Sequence, residues 1–173
     1  MWLTPALRAT SRRLSAPIPD SSMSARLACR AGSCRSRITE FSVKKPLTVS
    51  PYGLAWGPDG AVWFTALEGF IGRLTPTGDV LQFDLLPSSE PMSNAPTSIT
   101  AGPDGNLWFT YYAAPGLVPT IGRMTPQGQL TEFPLPHAAS QPMPPLGDII
   151  SGADGNLWFA EPADGLIGRF DPH

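Results

Sequence analysis

A chain of 173 residues is long enough for one domain with a real core, and its 21 prolines with only 15% charged residues make it turn-rich and sparsely charged. No stretch approaches the ~20 consecutive apolar residues of a membrane span, so none is expected. The formal net charge of −2 is unevenly divided: residues 1–37 carry seven Arg against one acid, Asp20, while residues 38–173 carry five bases and thirteen acids.

The first segment in chain order, residues 1–37, reads as a disordered basic leader. It is rich in Arg, Ser, Ala and Pro without hydrophobic periodicity. It also lacks the apolar run of ~7–15 residues of a secretory signal, which favours a cytoplasmic protein. An Arg- and Ser-rich stretch suits targeting or nucleic-acid binding, but the absence of interleaved aromatics ranks nucleic acid last. A plain extension, with Met23 as an alternative start, is the preferred reading. Cys29 and Cys34 both lie here, spaced C-x4-C with no second pair and no nearby His, so no zinc site is expected.

From Ile38 onward the chain is expected to be all-β. A lone strand, ITEFSV (38–43), precedes three versions of one sentence: GPDGAVWFT from Gly57, GPDGNLWFT from Gly102 and GADGNLWFA from Gly152. Each version is followed by Ile-Gly-Arg, at 71–73, 121–123 and 167–169. In the first two units Thr-Pro-x-Gly and a further strand come next, VLQFDL (80–85) and LTEFPL (130–135). The first unit thus reads as four strands, PYGLAW (51–56), AVWFT (61–65), FIGRLT (70–75) and VLQFDL. They are joined by turns in which Pro presets φ, Asp bonds its own backbone and Gly accepts a positive φ. Four-stranded units recurring every ~40–50 residues and marked by Trp and Gly are the pattern of β-propeller blades. The fold class is therefore a partial β-propeller of about three four-stranded blades, occupying residues 38–173. The repeated Arg73, Arg123 and Arg169 are expected to be structural, tying blades together through carbonyls or carboxylates.

Closed propellers need roughly 4–8 blades, and the third unit stops at IGRFDPH before its fourth strand. The chain is accordingly expected to be the N-terminal part of a larger propeller. The alternative is self-association, in which other copies complete the ring. The GPDG and TPxG turns lie on one face and are short and uniform. The opposite face carries connections that vary: 66–70 against YYAAPGLVPT (111–120), and the interblade segments 88–96 and 137–148. Variation on one face marks the binding face, with Tyr52, Glu68, Thr97, Tyr111, Tyr112 and Glu161 as candidate lining residues.

The series PYGLAWGPDGAVWFT, IGRLTPTG and IGRMTPQGQLTEFPLP resembles the virginiamycin B lyase (streptogramin lyase) family across residues 38–173. The resemblance implies a seven-bladed propeller that linearises cyclic streptogramin B antibiotics by Mg²⁺-dependent elimination, with a histidine base. The implied ligand is a small cyclic peptide. The family's histidines follow Pro in the first strand of the last blades, and the matching positions here are Tyr52, Thr97 and Leu146, none of which can be that base. His137 and His173 read as solvated loop and tail residues. Glu161 matches the Glu of a W-F-T-E consensus found in blades without catalytic duty, and Glu68 lies one place from a catalytic Glu of the family. No catalytic constellation and no Mg²⁺ ligand set is assigned. The sequence therefore reads as a lyase-like propeller lacking the catalytic blades. The main alternative is a non-enzymatic binding or scaffold module using the loop 111–120. A lactone-hydrolase site is a weaker third reading, with Asn94, Asp148 and Glu161 as loose candidates.

Overall fold

The computed structural model describes residues 10–13, 40–41, 49–85, 94–113, 118–136 and 146–173. Among them all regular structure is β, in three antiparallel sheets. Sheet I contains β1 (Thr10–Arg13), β2 (Pro51–Trp56), β3 (Val62–Ala66), β4 (Phe70–Leu74) and β5 (Val80–Asp84), in the order β1-β5-β4-β3-β2. Sheet II is β6 (Asn94–Ala101), β7 (Leu107–Ala113), β8 (Thr120–Met124) and β9 (Leu130–Pro134), in chain order. Sheet III is β10 (Ile149–Ser151), β11 (Leu157–Glu161) and β12 (Leu166–Phe170).

Two expectations need correction, and the structure adds one feature. Within the leader, Thr10–Arg13 forms β1, pairing antiparallel with β5 from Thr10↔Asp84 to Arg13↔Leu81. An outer strand presents a row of unpaired N–H and C=O groups that accepts almost any extended segment. The lone strand 38–43 is not seen where it can be checked, since Glu40 and Phe41 lie outside any strand and the remaining four residues fall outside the described set. The loop 111–120 begins later than expected, because Tyr111 and Tyr112 continue β7 and pair with Pro96 and Ala95 of a lengthened β6. Aromatic residues favour such extension, and Pro96 sits beside an irregularity of register between Pro96 and Ile99, where a missing N–H is tolerated.

The repeated turn has one physical job. Gly57 N–H donates to the Ala61 carbonyl at 2.8 Å, and Gly102 and Gly152 make the matching bonds to Asn106 and Asn156. Gly60, Gly105 and Gly155 take φ values of 72°, 74° and 79°, a left-handed conformation that a Cβ disfavours. The turn Asp then reaches forward to the Trp four residues later. Trp63 and Trp108 each donate Nε1–H to Oδ1 of Asp59 and Asp104 at 2.9 Å, and Trp158 donates to Asp154 at 3.1 Å. The indole's only donor is thereby satisfied, in the fully buried Trp63 and Trp108 and in the half-buried Trp158.

Packing between sheets follows the same repetition. Trp63, Ile71 and Phe83 of sheet I share one core cluster with Ile99, Leu107, Phe109 and Met124 of sheet II. Trp108 and Ile121 of sheet II pack with Ile149, Leu157 and Phe159 of sheet III. The Gly of Ile-Gly-Arg is required because the Phe of Trp-Phe lies flat over it. A Cβ on Gly72, Gly122 or Gly168 would collide with the ring of Phe64, Phe109 or Phe159.

Candidate functional site

Each unit carries an Asp–Trp–Arg group beside the turn that joins its first two strands. The Arg73 guanidinium pairs with Asp59 and lies 5.9 Å over the Trp63 ring. Arg123 stands against both rings of the stacked Trp108–Phe133 pair, at 5.7 and 5.5 Å, and Arg169 is 6.0 Å from Trp158. These cation–π contacts stay within a sheet. The arginines therefore clamp each hairpin rather than tying neighbouring sheets together as expected. The electrostatics agree. Partial burial works to raise the Asp59 carboxyl, but hydrogen bonds from Trp63 and Arg73 outweigh it and hold it below its ordinary value. At Asp104 burial is likewise outweighed by bonds from Asn106 and Trp108. Asp154 is lowered by Asn156 and then Trp158.

The ties between sheets come from a residue the sequence reading passed over, the Thr closing Trp-Phe-Thr. Thr65 accepts from Gly53 N–H at 2.7 Å and donates across the junction to the Thr97 carbonyl at 2.6 Å. One sheet along, Thr110 donates to the Gly147 carbonyl at 2.9 Å and accepts from Ser98 N–H at 3.3 Å. Both hydroxyls are fully buried. The third unit has Ala160 at this place, which cannot donate. The signal was present in the sequence as a repeated Thr, but only the structure shows what it reaches.

This latch also fixes the alignment of the first strands. Leu54, Ile99 and Ile149 are opposite Phe64, Phe109 and Phe159, so Tyr52, Thr97 and Gly147 are equivalent. Gly147 rather than Leu146 thus stands at the third position, and Leu146 is buried one residue earlier. None of the three offers a titratable nitrogen.

The other candidate residues are dispersed among structural duties. Thr97 gives its carbonyl to Thr65 and brings its hydroxyl within 3.0 Å of that of Thr110. The Glu68 carboxylate accepts from Ser50 N–H at 2.9 and 3.1 Å, closing the loop beside β2. Tyr111 is buried, edge-on to Phe109 with ring centroids 5.2 Å apart. Burial pushes its phenol well above the ordinary value, and the Glu132 carboxylate adds to the rise. Tyr112 pairs with Ala95. Glu161 is buried at the end of β11 opposite Leu166, and its carbonyl accepts from Asp164 N–H. Tyr52 is exposed on β2. Asp148 gives its carbonyl to Ala160 N–H, and Asn94 lies opposite Ala113. His173 is exposed at the chain end, and His137, Cys29 and Cys34 fall outside the described residues.

The Mg²⁺ implied by the family resemblance finds no fitting donors here. Among the described residues no group of three or more His, Cys, Asp or Glu comes close enough to hold a metal ion.

Repeated antiparallel sheets, packed face to face through a recurring Trp-Phe motif, define this as a β-propeller protein. The sequence model of the virginiamycin B lyase family matches residues 28–173, and the chain belongs to that family. A virginiamycin B lyase of Bordetella pertussis is 53% identical over 49 residues, which are 28% of this chain and 16% of that protein. One of Mycolicibacterium smegmatis is 45% identical over 49 residues, 17% of its length. A streptogramin B lyase structure superposes with a TM-score of 0.59 at 36% identity, covering 78% of this chain and 45% of the other. A gluconolactonase from Xanthomonas campestris shares the fold, at a TM-score of 0.50 and 17% identity over 72% of this chain and 44% of its own. The chain thus spans less than half of the lyase structure it matches.

Proposed function

We propose that sheets I to III are the scaffold sector of a virginiamycin B lyase-type propeller. In this reading they shape one side of a site for a small cyclic peptide of the streptogramin B class. The elimination chemistry, with its Mg²⁺ and histidine base, depends on residues beyond these sheets. The observation that carries the reading is the family match across residues 28–173. The Thr97 carbonyl accepts from the Thr65 hydroxyl, Glu68 holds the Ser50 N–H and the turn aspartates hold indole groups, and the base position is filled by Tyr52, Thr97 and Gly147. A binding module would use the segment at Tyr111 and Tyr112, where Tyr111 is buried.

The test is to incubate the 173-residue chain with a cyclic streptogramin B and Mg²⁺, following the linear isomer by chromatography with mass spectrometry. No linear product is expected from the chain alone. Turnover that EDTA abolishes would overturn the assignment of these sheets to the scaffold.

A further inference from the structure

The chain holds four Asp-Gly steps, at 59–60, 104–105, 154–155 and 164–165. In each the Gly has no Cβ to shield its backbone nitrogen, and its φ is positive, from 66° to 79°. Such a step can cyclise. The Gly nitrogen attacks the Asp Cγ, a C–N bond forms, the Cγ–O bond breaks and water leaves. Water then reopens the imide at either carbonyl, returning aspartate or isoaspartate with no other reactant consumed.

Exposure does not separate the four steps, since Asp59 and Asp154 are exposed whereas Asp164 is half-buried. Hydrogen bonding does. At the three repeated turns the attacking nitrogen is occupied, because Gly60, Gly105 and Gly155 N–H donate to the carbonyls of Gly57, Gly102 and Gly152 at 3.1–3.2 Å. The carboxyl under attack is held as well. Oδ1 of Asp59, Asp104 and Asp154 accepts from the N–H two residues on and from the Trp indole. Arg73, Asn106 or Asn156 takes the second oxygen. These bonds also hold the three carboxyls below their ordinary values, in the ionised form that is the poorer electrophile. Ring closure at a turn therefore has to break several bonds at once.

The Asp164–Gly165 step lies at the tip of the hairpin between β11 and β12, on the face of the varied connections. Gly165 is exposed, with φ 66°. Asp164 N–H donates to the Glu161 carbonyl at 3.2 Å, but among the described residues no backbone bond holds the Gly165 N–H. We propose that Asp164 is the site of spontaneous isoaspartate formation in this protein, the three repeated turns being protected by their folded geometry. The product carries one extra backbone carbon, the former Cβ, inside the loop that the Glu161↔Leu166 pair closes. It also leaves a free α-carboxylate at the loop tip. The change thus loosens this end of β11 and β12 without reaching the Trp-Phe core. This inference does not depend on the lyase reading.

The test is to age the folded 173-residue chain in warm neutral buffer and then digest it with a protease that cleaves before Asp but not before isoaspartate. Cleavage between Ala163 and Asp164 should fade with time while cleavage before Asp59, Asp104 and Asp154 persists. Electron-transfer fragmentation should place the isoaspartate at 164. The rate there should exceed that at each turn by about tenfold or more, the factor that one charge-assisted hydrogen bond imposes. In denaturing urea the four sites should react at similar rates, since the folded protection is gone. Isoaspartate forming at a turn as fast as at Asp164 in the folded chain would overturn the proposal. So would a folded chain that forms none at Asp164 while its unfolded form does, or an advantage of Asp164 that persists undiminished in urea.

Discussion

Replacing Thr110 by Val keeps the shape of the side chain and removes its hydroxyl. That hydroxyl donates to the Gly147 carbonyl and accepts from Ser98 N–H across the boundary between sheets II and III. The Thr110 side chain is fully buried while Ser98 and Gly147 are half-buried, so water replaces these bonds only in part. Leaving one buried donor and one buried acceptor unsatisfied costs roughly 1–3 kcal/mol apiece. Partial relaxation, including a turn of the Thr97 hydroxyl onto the Thr110 carbonyl 3.3 Å away, brings the expected loss to about 3 kcal/mol. That is a large share of the 5–15 kcal/mol typical of a domain. Thr110→Ser is the control, because it keeps the hydroxyl and gives up one buried methyl, about 1 kcal/mol. Urea unfolding of both variants reads the difference through the midpoint at constant m. If Thr110→Val proved as stable as Thr110→Ser within about 0.5 kcal/mol, the latch would not be holding the sheets together.

Three further outcomes follow from the repeated parts. Asp104→Ala removes the acceptor of the Trp108 indole and of Asn106 and should cost about 1–2 kcal/mol, whereas Asp104→Asn keeps a carbonyl oxygen and should lose less; thermal melts compare the two. Gly72→Ala sets a methyl against the Phe64 ring and should destabilise by about 1–3 kcal/mol through overpacking, read by urea titration, and a neutral result would refute the close approach. The lowered carboxyls of Asp59 and Asp104 contribute stability that is fully present above the unfolded carboxylate pKa of about 3.9. It is lost as pH falls through their folded values, so the melting temperature should drop on acidification, and less steeply in an Asp59→Asn, Asp104→Asn double variant.

Much of this was written in the chain at short range. The Gly-Pro-Asp-Gly turn, the strand that follows and the Ile-Gly-Arg strand are each dictated by neighbours a few residues apart. β2 appears at Pro51–Trp56, as the sequence implied, because a tight hairpin with a left-handed Gly admits few alternatives. The aromatic spacing likewise fixed which side chains form the core. Outer-edge pairing was not legible. Nothing in Thr10–Arg13 marks a strand, since backbone pairing to β5 uses groups that every residue has. The candidate binding residues fared differently for a related reason. Tyr111 looked like a loop aromatic until β7 was seen to run on beneath it, and a loop carboxylate such as Glu68 gives no sign in sequence that it holds the N–H of Ser50.

The sequence by itself determined the repeat, the all-β class and the kinship with the virginiamycin B lyases, because those rest on local turn chemistry and on spacing along the chain. Tertiary structure decided what each repeated residue is for. Arg73 clamps its own hairpin, and Thr65 and Thr110 bind sheet to sheet. These roles arise between residues distant in the chain, where a side chain's role is set by the neighbour that packing brings to it.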